Sequence, residues 1–296
     1  MNTPQYTSDR ALVLGGGGST GNAWLIGVMA GLLDAGIDVR DADLVVGTSA
    51  GATAAAQVTA ASPADLFDAI REAPTPSPPG PPGPGRSGPT AADHLERLRV
   101  LIAASAGPAD LRRAVGAAAL ARAQADTAWQ ERWRATVAAR LPSPHWPDQT
   151  MFLTAVDART GEPVVFDRHA NIDLVDAVAA SCASGVAYAI GDRHYIDGGY
   201  RGNAENADLA AGYRRVLVLS PLGGRSLHPP EWGTHLATQV EELLAQGSTV
   251  HTIVPDENSE YLFGASAMDA TLRPAAARAG HNQGRALAGT IARLWR

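Results

Sequence analysis

The chain has 296 residues, 45% of them hydrophobic, enough to bury a large core in one or two domains. A net charge of −6 and a pI of about 5.7 disfavour broad nucleic-acid binding, which needs a basic surface, and docking to anionic lipid by charge alone. All 24 basic residues are arginine, so neither a lysine Schiff base to pyridoxal phosphate nor a Walker-type phosphate loop can form.

The single Cys182 has no partner for an internal disulfide, which predicts a reducing, cytoplasmic setting, and it reads as a small buried residue in a helix. The polar start, MNTPQYTSDR, lacks an apolar signal core, and no stretch reaches the ~18 apolar residues of a spanning helix. The expectation is a soluble protein, at most peripheral on a membrane.

In chain order, Ala11–Leu14 is a short apolar run that reads as a buried strand ending at four glycines, Gly15 to Gly18. Asn22 to Ala35 reads as a helix apolar on most of its surface, stopped by Gly36. Leu44–Val46 is a second buried strand. After the turn that follows it, Ala52 to Ala61 reads as a helix of small residues packed against a sheet. The Pro- and Gly-rich stretch 74–90 supports no regular element and reads as an exposed loop. An Ala- and Arg-rich insert over 91–140 predicts two or three helices that could cap a site. Strands are expected at Met151–Val156, Pro163–Phe166, Arg193–Ile196, Val216–Leu219 and Val250–Val254. Helices are expected at Leu174–Ala183, Asn206–Gly212, Thr234–Ala245 and about Pro274–Trp295. This alternation predicts a three-layer α/β/α fold with a mainly parallel central sheet.

Three motifs carry chemistry. Gly47-Thr48-Ser49-Ala50-Gly51 fits G-x-S-x-G, in which a serine sits on a sharp strand-to-helix turn and flanking glycines let neighbouring backbone pass close by. An ordinary α/β-hydrolase would place several strands before this turn, and here only two precede it. His228, His235, His251 and His281 follow it, but none stands in a convincing strand-end loop for a triad. Gly16-Gly17-Gly18-Ser19-Thr20-Gly21 fits the dinucleotide pattern G-x-G-x-x-G, yet the next strand ends in Gly47-Thr48-Ser49 rather than in an acidic residue. The same run of N–H groups at a helix start can hold an oxyanion. The third motif, Asp197-Gly198-Gly199, ends a short strand and alone would read as a turn.

In this order the glycine loop, the G-x-S-x-G turn and the D-G-G turn resemble the patatin-like phospholipases, over roughly Arg10 to Leu222. The resemblance implies a lipid acyl hydrolase or esterase working through an acyl-enzyme. It assigns Ser49 as nucleophile, Asp197 as general base in place of histidine, and Gly16, Gly17 and Gly18 as the oxyanion loop. Gly21, Gly47, Gly51, Gly198 and Gly199 complete the motifs. It implies no cofactor, no metal and no nucleic-acid partner; the partner is a lipid or other ester, with peripheral membrane contact as an option. One domain is expected over 1–296, with its motif-bearing core at about 10–222 and a helical extension from about 273. The competing reading is a non-catalytic or nucleotide-binding protein that uses the glycine loop. Thr20 stands where the family commonly has Arg or Lys, which predicts weaker attraction for a phosphate or carboxylate head group and leaves neutral esters open as substrates.

Overall fold

The computed structural model describes residues 8–74, 91–126 and 128–296. The expected loop at 74–90 lies, beyond its first residue, outside the described residues.

Five strands form a parallel core: β1 (Ser8–Leu14), β2 (Leu44–Gly47), β3 (Thr150–Asp157), β7 (Tyr213–Leu219) and β8 (Thr249–Ile253), in the spatial order β3-β2-β1-β7-β8. Their near-continuous Val, Leu and Ala content is what a sheet covered on both faces requires. Three more strands are antiparallel: β4 (Pro163–Phe166) and β6 (Arg193–Asp197) both pair with β3, and β5 (Tyr188–Ile190) pairs with β6. β5 and β6 form a hairpin through Gly191-Asp192, with Gly191 at φ +57°, a two-residue turn of the kind that needs positive φ.

Alternation along the strands sorts the two faces. Leu12, Leu14, Val45, Leu153, Leu217 and Leu219 point into the larger core. That core is closed by α1 (Gly18–Asp34), α2 (Ala50–Val58), α3 (Pro63–Glu72), α7 (Leu174–Ser181) and α9 (Arg273–Trp295). Ala11, Val13, Val46, Val216 and Val218 point to the other face, where α8 (Leu236–Ala245) and a short 3-10 turn at Ala207–Ala210 cover them. On that face, α4 (Ala91–Ala104) and α5 (Pro108–Ala125) lie over Val156 and Ile196. With α6 (Trp129–Ala138), the 91–140 insert therefore contains three helices.

α1 begins at Gly18 rather than at Asn22, because long-range contacts hold a glycine-rich first turn that propensity alone disfavours. The Thr20 N–H donates to Ala267 O (3.0 Å), and Arg273 donates to Ser19 O (2.8 Å). The helix expected at Asn206–Gly212 shrinks to the 3-10 turn, since Asn206 is left-handed (φ +56°) and Asp208 is drawn off by Arg201. Residues 63–72 carry a further helix, whose Pro63, Leu66, Phe67 and Ile70 recur at helical spacing on the face packed to the core. Its start, Ser62-Pro63, is an N-cap followed by proline at N1, and Ser62 Oγ accepts from the Ala64 N–H at 3.2 Å. Among the described residues no helix is long and apolar enough to cross a membrane.

Candidate active site

β2 and β6 meet end to end. Leu153 of β3 pairs with both Gly47 and Phe166, and Ala155 pairs with both Val164 and Asp197. β4 thus occupies one edge of β3, while β2 and the oppositely running β6 share the other. Their C-terminal ends converge there, two β3 residues apart, and place the residues that follow Gly47 beside Asp197. Ser49 Oγ donates to Asp197 Oδ2 at 2.7 Å.

The turn holding Ser49 is strained. Ser49 has φ +54° and ψ −116°, a conformation costing about 1–3 kcal/mol that persists only where surroundings enforce it. The enforcement is visible at each side. The Ser49 N–H donates to Ser181 Oγ (2.9 Å), and the Cys182 thiol donates to Ser49 O (3.0 Å). The end of α7 therefore grips the serine backbone on both polar groups. Gly47 and Gly51 admit no side chain: a Cβ on Gly47 would sit 2.7 Å from Ala52 Cα, and one on Gly51 would overlap Leu14 O.

Asp197 is buried, and burial lifts its carboxyl to about 6 against the lowering effects of its hydrogen bonds from the Gly199 N–H (2.8 Å) and Ser49. Gly198 lies so close to Thr154 that a Cβ would overlap its hydroxyl and carbonyl oxygens. Among the described residues, no histidine lines the cavity at Ser49. His228 and His235 bond to Thr234 and to the His228 carbonyl, and His281 pairs with Asp34.

The glycine loop abuts the serine. Gly16 faces Ser49 Cβ, but its N–H is committed to Ala204 O at 2.8 Å. The N–H groups of Gly17, Gly18 and Ala50 have no partner among the described residues. These are first-turn donors of α1 and α2, so they have no partner within their own helices, and the helix dipoles add to their pull on an anion. Gly18 itself adopts φ +67°, with Ala267 O 2.7 Å from where a Cβ would be.

Ser49, Asp197, Gly18 and Ala50 open on a cavity of about 350 Å³, which Trp133, Cys182, Ser184, Met268, Arg140 and Arg273 also line. Trp133 faces it while its indole N–H donates to Ala179 O (3.0 Å) and its ring stacks on Trp129. Trp129, Trp133 and Trp146 all pack against the core. Thr20, by contrast, is buried and turned toward Ala267. The expectation of a cation-poor site, drawn from Thr20, is therefore corrected: two arginines enter from elsewhere in the chain. Cys182 is also more than a packing residue, since it follows α7 and holds the Ser49 carbonyl. Burial and the nearby Asp197 carboxylate push its thiol up to about 12, so it stays protonated and can donate.

Sequence reasoning missed one buried hub. The Asn206 side-chain amide donates to Thr48 Oγ1 (3.0 Å) and Gly198 O (3.1 Å), and Thr48 Oγ1 in turn meets Thr154 Oγ1 (2.9 Å). It ties the serine turn to the aspartate turn through β3. Its only local signal is that Asn tolerates the left-handed region. Asn206→Ala is expected to destabilise the protein by about 2–4 kcal/mol, by leaving buried polar groups unpaired and straining φ, as read by urea denaturation.

The patatin-like phospholipase family model matches residues 12–210, which contain the glycine loop, Ser49 and Asp197. The chain belongs to the patatin-like phospholipase family. Among solved structures, VipD from Legionella pneumophila matches 97% of this chain and 67% of its own at 11% identity, with a TM-score of 0.41. The type III effector protein ExoU matches 94% of this chain and 53% of its own at 15% identity, with a TM-score of 0.30. No curated protein matches. Met268, Ala270 and Arg273 lie beyond the matched residues, so part of this patatin-like cavity is built by chain outside the family segment.

Proposed function

We propose that the protein is a lipid acyl hydrolase that cleaves carboxylic esters by two-step acyl transfer, with Ser49 as nucleophile and Asp197 as its base. The observation that carries this reading is the 2.7 Å hydrogen bond from Ser49 Oγ to a buried carboxylate, on a strained turn flanked by unpaired N–H groups. Ser49 Oγ attacks the ester carbonyl carbon as its proton passes to Asp197. The carbonyl oxygen becomes an oxyanion facing the N–H groups of Gly17, Gly18 and Ala50, each such donor being worth ~3–4 kcal/mol. The tetrahedral species collapses, the C–O bond to the alcohol breaks, and the leaving oxygen takes the proton from Asp197. Water then attacks the acyl-enzyme, gives a proton to Asp197, and releases the acid as Ser49 recovers its proton.

A dinucleotide in the glycine loop is less well supported. β2 leads into Thr48 and Ser49 with no carboxylate for a ribose, and Gly18 opens onto the cavity that contains Ser49.

An uncharged fluorophosphonate ester should label Ser49, located by peptide mass, and Ser49→Ala should remove both the label and roughly 10⁴-fold or more of kcat on a short-chain ester. Full esterase activity in Ser49→Ala would end the proposal. The base must be ionised to accept a proton, so kcat/KM should fall as pH drops, with its acid-side midpoint near the Asp197 value of about 6. A midpoint near 4 would indicate that the base is a solvated carboxylate instead.

A further inference from the structure

The cavity at Ser49 holds two arginines that no carboxylate among the described residues neutralises. Arg273 enters from the first turn of α9 and donates only to neutral oxygens, Ser19 O at 2.8 Å, Ser19 Oγ at 3.4 Å and Asn22 Oδ1 at 3.1 Å. Arg140 follows α6 and lies over the Trp133 ring, 5.6 Å from its centroid. Among the described residues neither arginine forms an ion pair, although the chain has an excess of carboxylates and many other arginines are paired. Among the described residues, the one carboxylate lining the cavity is Asp197, whose oxygens are taken by Ser49 and Gly199. Burial, and then the like charge of Arg140, lower the pKa of the Arg273 guanidinium, so the two cations sense each other. Neighbouring like charges with no counter-ion are unfavourable unless a ligand brings the opposite charge.

We propose that Arg140 and Arg273 form a head-group site that selects esters whose alcohol carries a phosphate monoester, of the lysophosphatidate type, over zwitterionic choline esters. This rests on the acyl-hydrolase reading of Ser49. A phosphate monoester carries about −1.5 to −2 charges near neutral pH and offers oxygens that two guanidinium forks can grip together. A choline head group would bring its quaternary ammonium toward the same two cations. The acyl chain is apolar, so the charged wall of the cavity takes the alcohol side of the ester. Both cations lie outside the glycine loop, which is why Thr20 does not leave the cavity neutral. Arg273 also lies outside the family-matched residues, so this preference belongs to the chain rather than to its shared motifs.

The test separates binding from chemistry. The inactive Ser49→Ala protein is titrated calorimetrically with monomeric lysophosphatidate and lysophosphatidylcholine of one chain length, and the wild type is assayed on both. The expected result is about tenfold or more preference for the phosphate monoester in both readouts. Arg140 is exposed and replaceable, so Arg140→Gln should erase most of that ratio and Arg140→Glu should reverse it. Arg273→Lys keeps the charge of a residue that also holds the α1 turn, and should retain part of the preference. Equal affinity for the two lipids, or a ratio unmoved by Arg140→Glu, would overturn the proposal. Fluorophosphonate labelling of wild type reports on the dyad independently. Labelling at Ser49 without lipid preference sinks the arginine site alone, whereas preferential binding without labelling sinks the dyad alone.

Discussion

Asp197→Asn is expected to remove nearly all turnover, on the order of 10³–10⁴-fold in kcat, while making the protein more stable at pH 8. Asn retains an oxygen for the Gly199 N–H and an amide for Ser49 Oγ, so the turn geometry survives while the proton acceptor is lost. The stability gain follows from burial, which raises the carboxyl from 3.8 to about 6. The folded chain then holds its proton at pH values where the unfolded chain has released it. Stability must fall as pH rises from about 4 to about 6, and the full cost of the buried charge is present above that window. About two units correspond to roughly 3 kcal/mol, an upper figure for what the neutral amide recovers. Urea unfolding of both proteins between pH 4 and 8 should show the variant ahead by roughly 2–3 kcal/mol at pH 8, with the gain vanishing toward pH 4. Glu205, buried and accepting from Ser220 Oγ at 2.6 Å, is lifted by burial to about 7 and acts in the same direction. Both proteins should therefore still lose stability as pH rises toward 7, and only the difference between them isolates Asp197. A variant less stable than wild type at pH 8 would mean that the ionised carboxylate is held by more than it costs. This is the pattern expected of a catalytic group, whose tuning is unfavourable to the fold that carries it.

What local sequence could disclose, and what it could not, divides along a physical line. The strand at Ala11–Leu14, the Gly47–Gly51 turn and the Asp197-Gly198-Gly199 turn are legible because each rests on a few adjacent residues with special backbone demands. That Ser49 and Asp197 come within 2.7 Å depends on β6 occupying the edge of β3 beyond the end of β2, a pairing written in no short segment. The grip on Ser49 by Ser181 and Cys182 was hidden in an Ala-rich helix, where a serine and a cysteine look like small packing residues. Arg140 and Arg273 are far apart in the chain and share no motif, so only the fold brings their charges to one cavity. The helix at 63–72 was legible after all. Its Ser62-Pro63 start is a capping signal, and Leu66, Phe67 and Ile70 follow at helical spacing.

A large stability effect is expected where α1 and α9 touch. Gly27 and Gly31 on α1 face Ala277 and His281, and Gly280 and Gly284 on α9 face Trp24 and Val28, so each helix presents a pair of glycines four residues apart to the backbone of the other. A Cβ on Gly31 would overlap the His281 carbonyl oxygen and lie 2.9 Å from its carbon. The obstacle is the backbone of the neighbouring helix, so the helices must separate instead of a side chain turning aside. Gly31→Ala should therefore destabilise by about 2–3 kcal/mol despite gaining up to about 1 kcal/mol of helix propensity, and Gly31→Val by more. Gly289, on the same α9 but with open space around it, supplies the control: Gly289→Ala should stabilise by about 0.5–1 kcal/mol. Opposite signs at the two positions in urea denaturation separate close packing from propensity, and equal signs would refute the packing argument. Gly27→Ala combined with Gly31→Ala should cost less than the sum of the two, because the first substitution already forces the helices apart. The effect should also reach the cavity. α9 carries Arg273 on its first turn, and its packing along α1 sets where that guanidinium meets Ser19. Gly31→Ala should thus weaken lysophosphatidate binding in the Ser49→Ala background, even where the protein remains folded, because a shifted α9 moves Arg273 away from the site it completes.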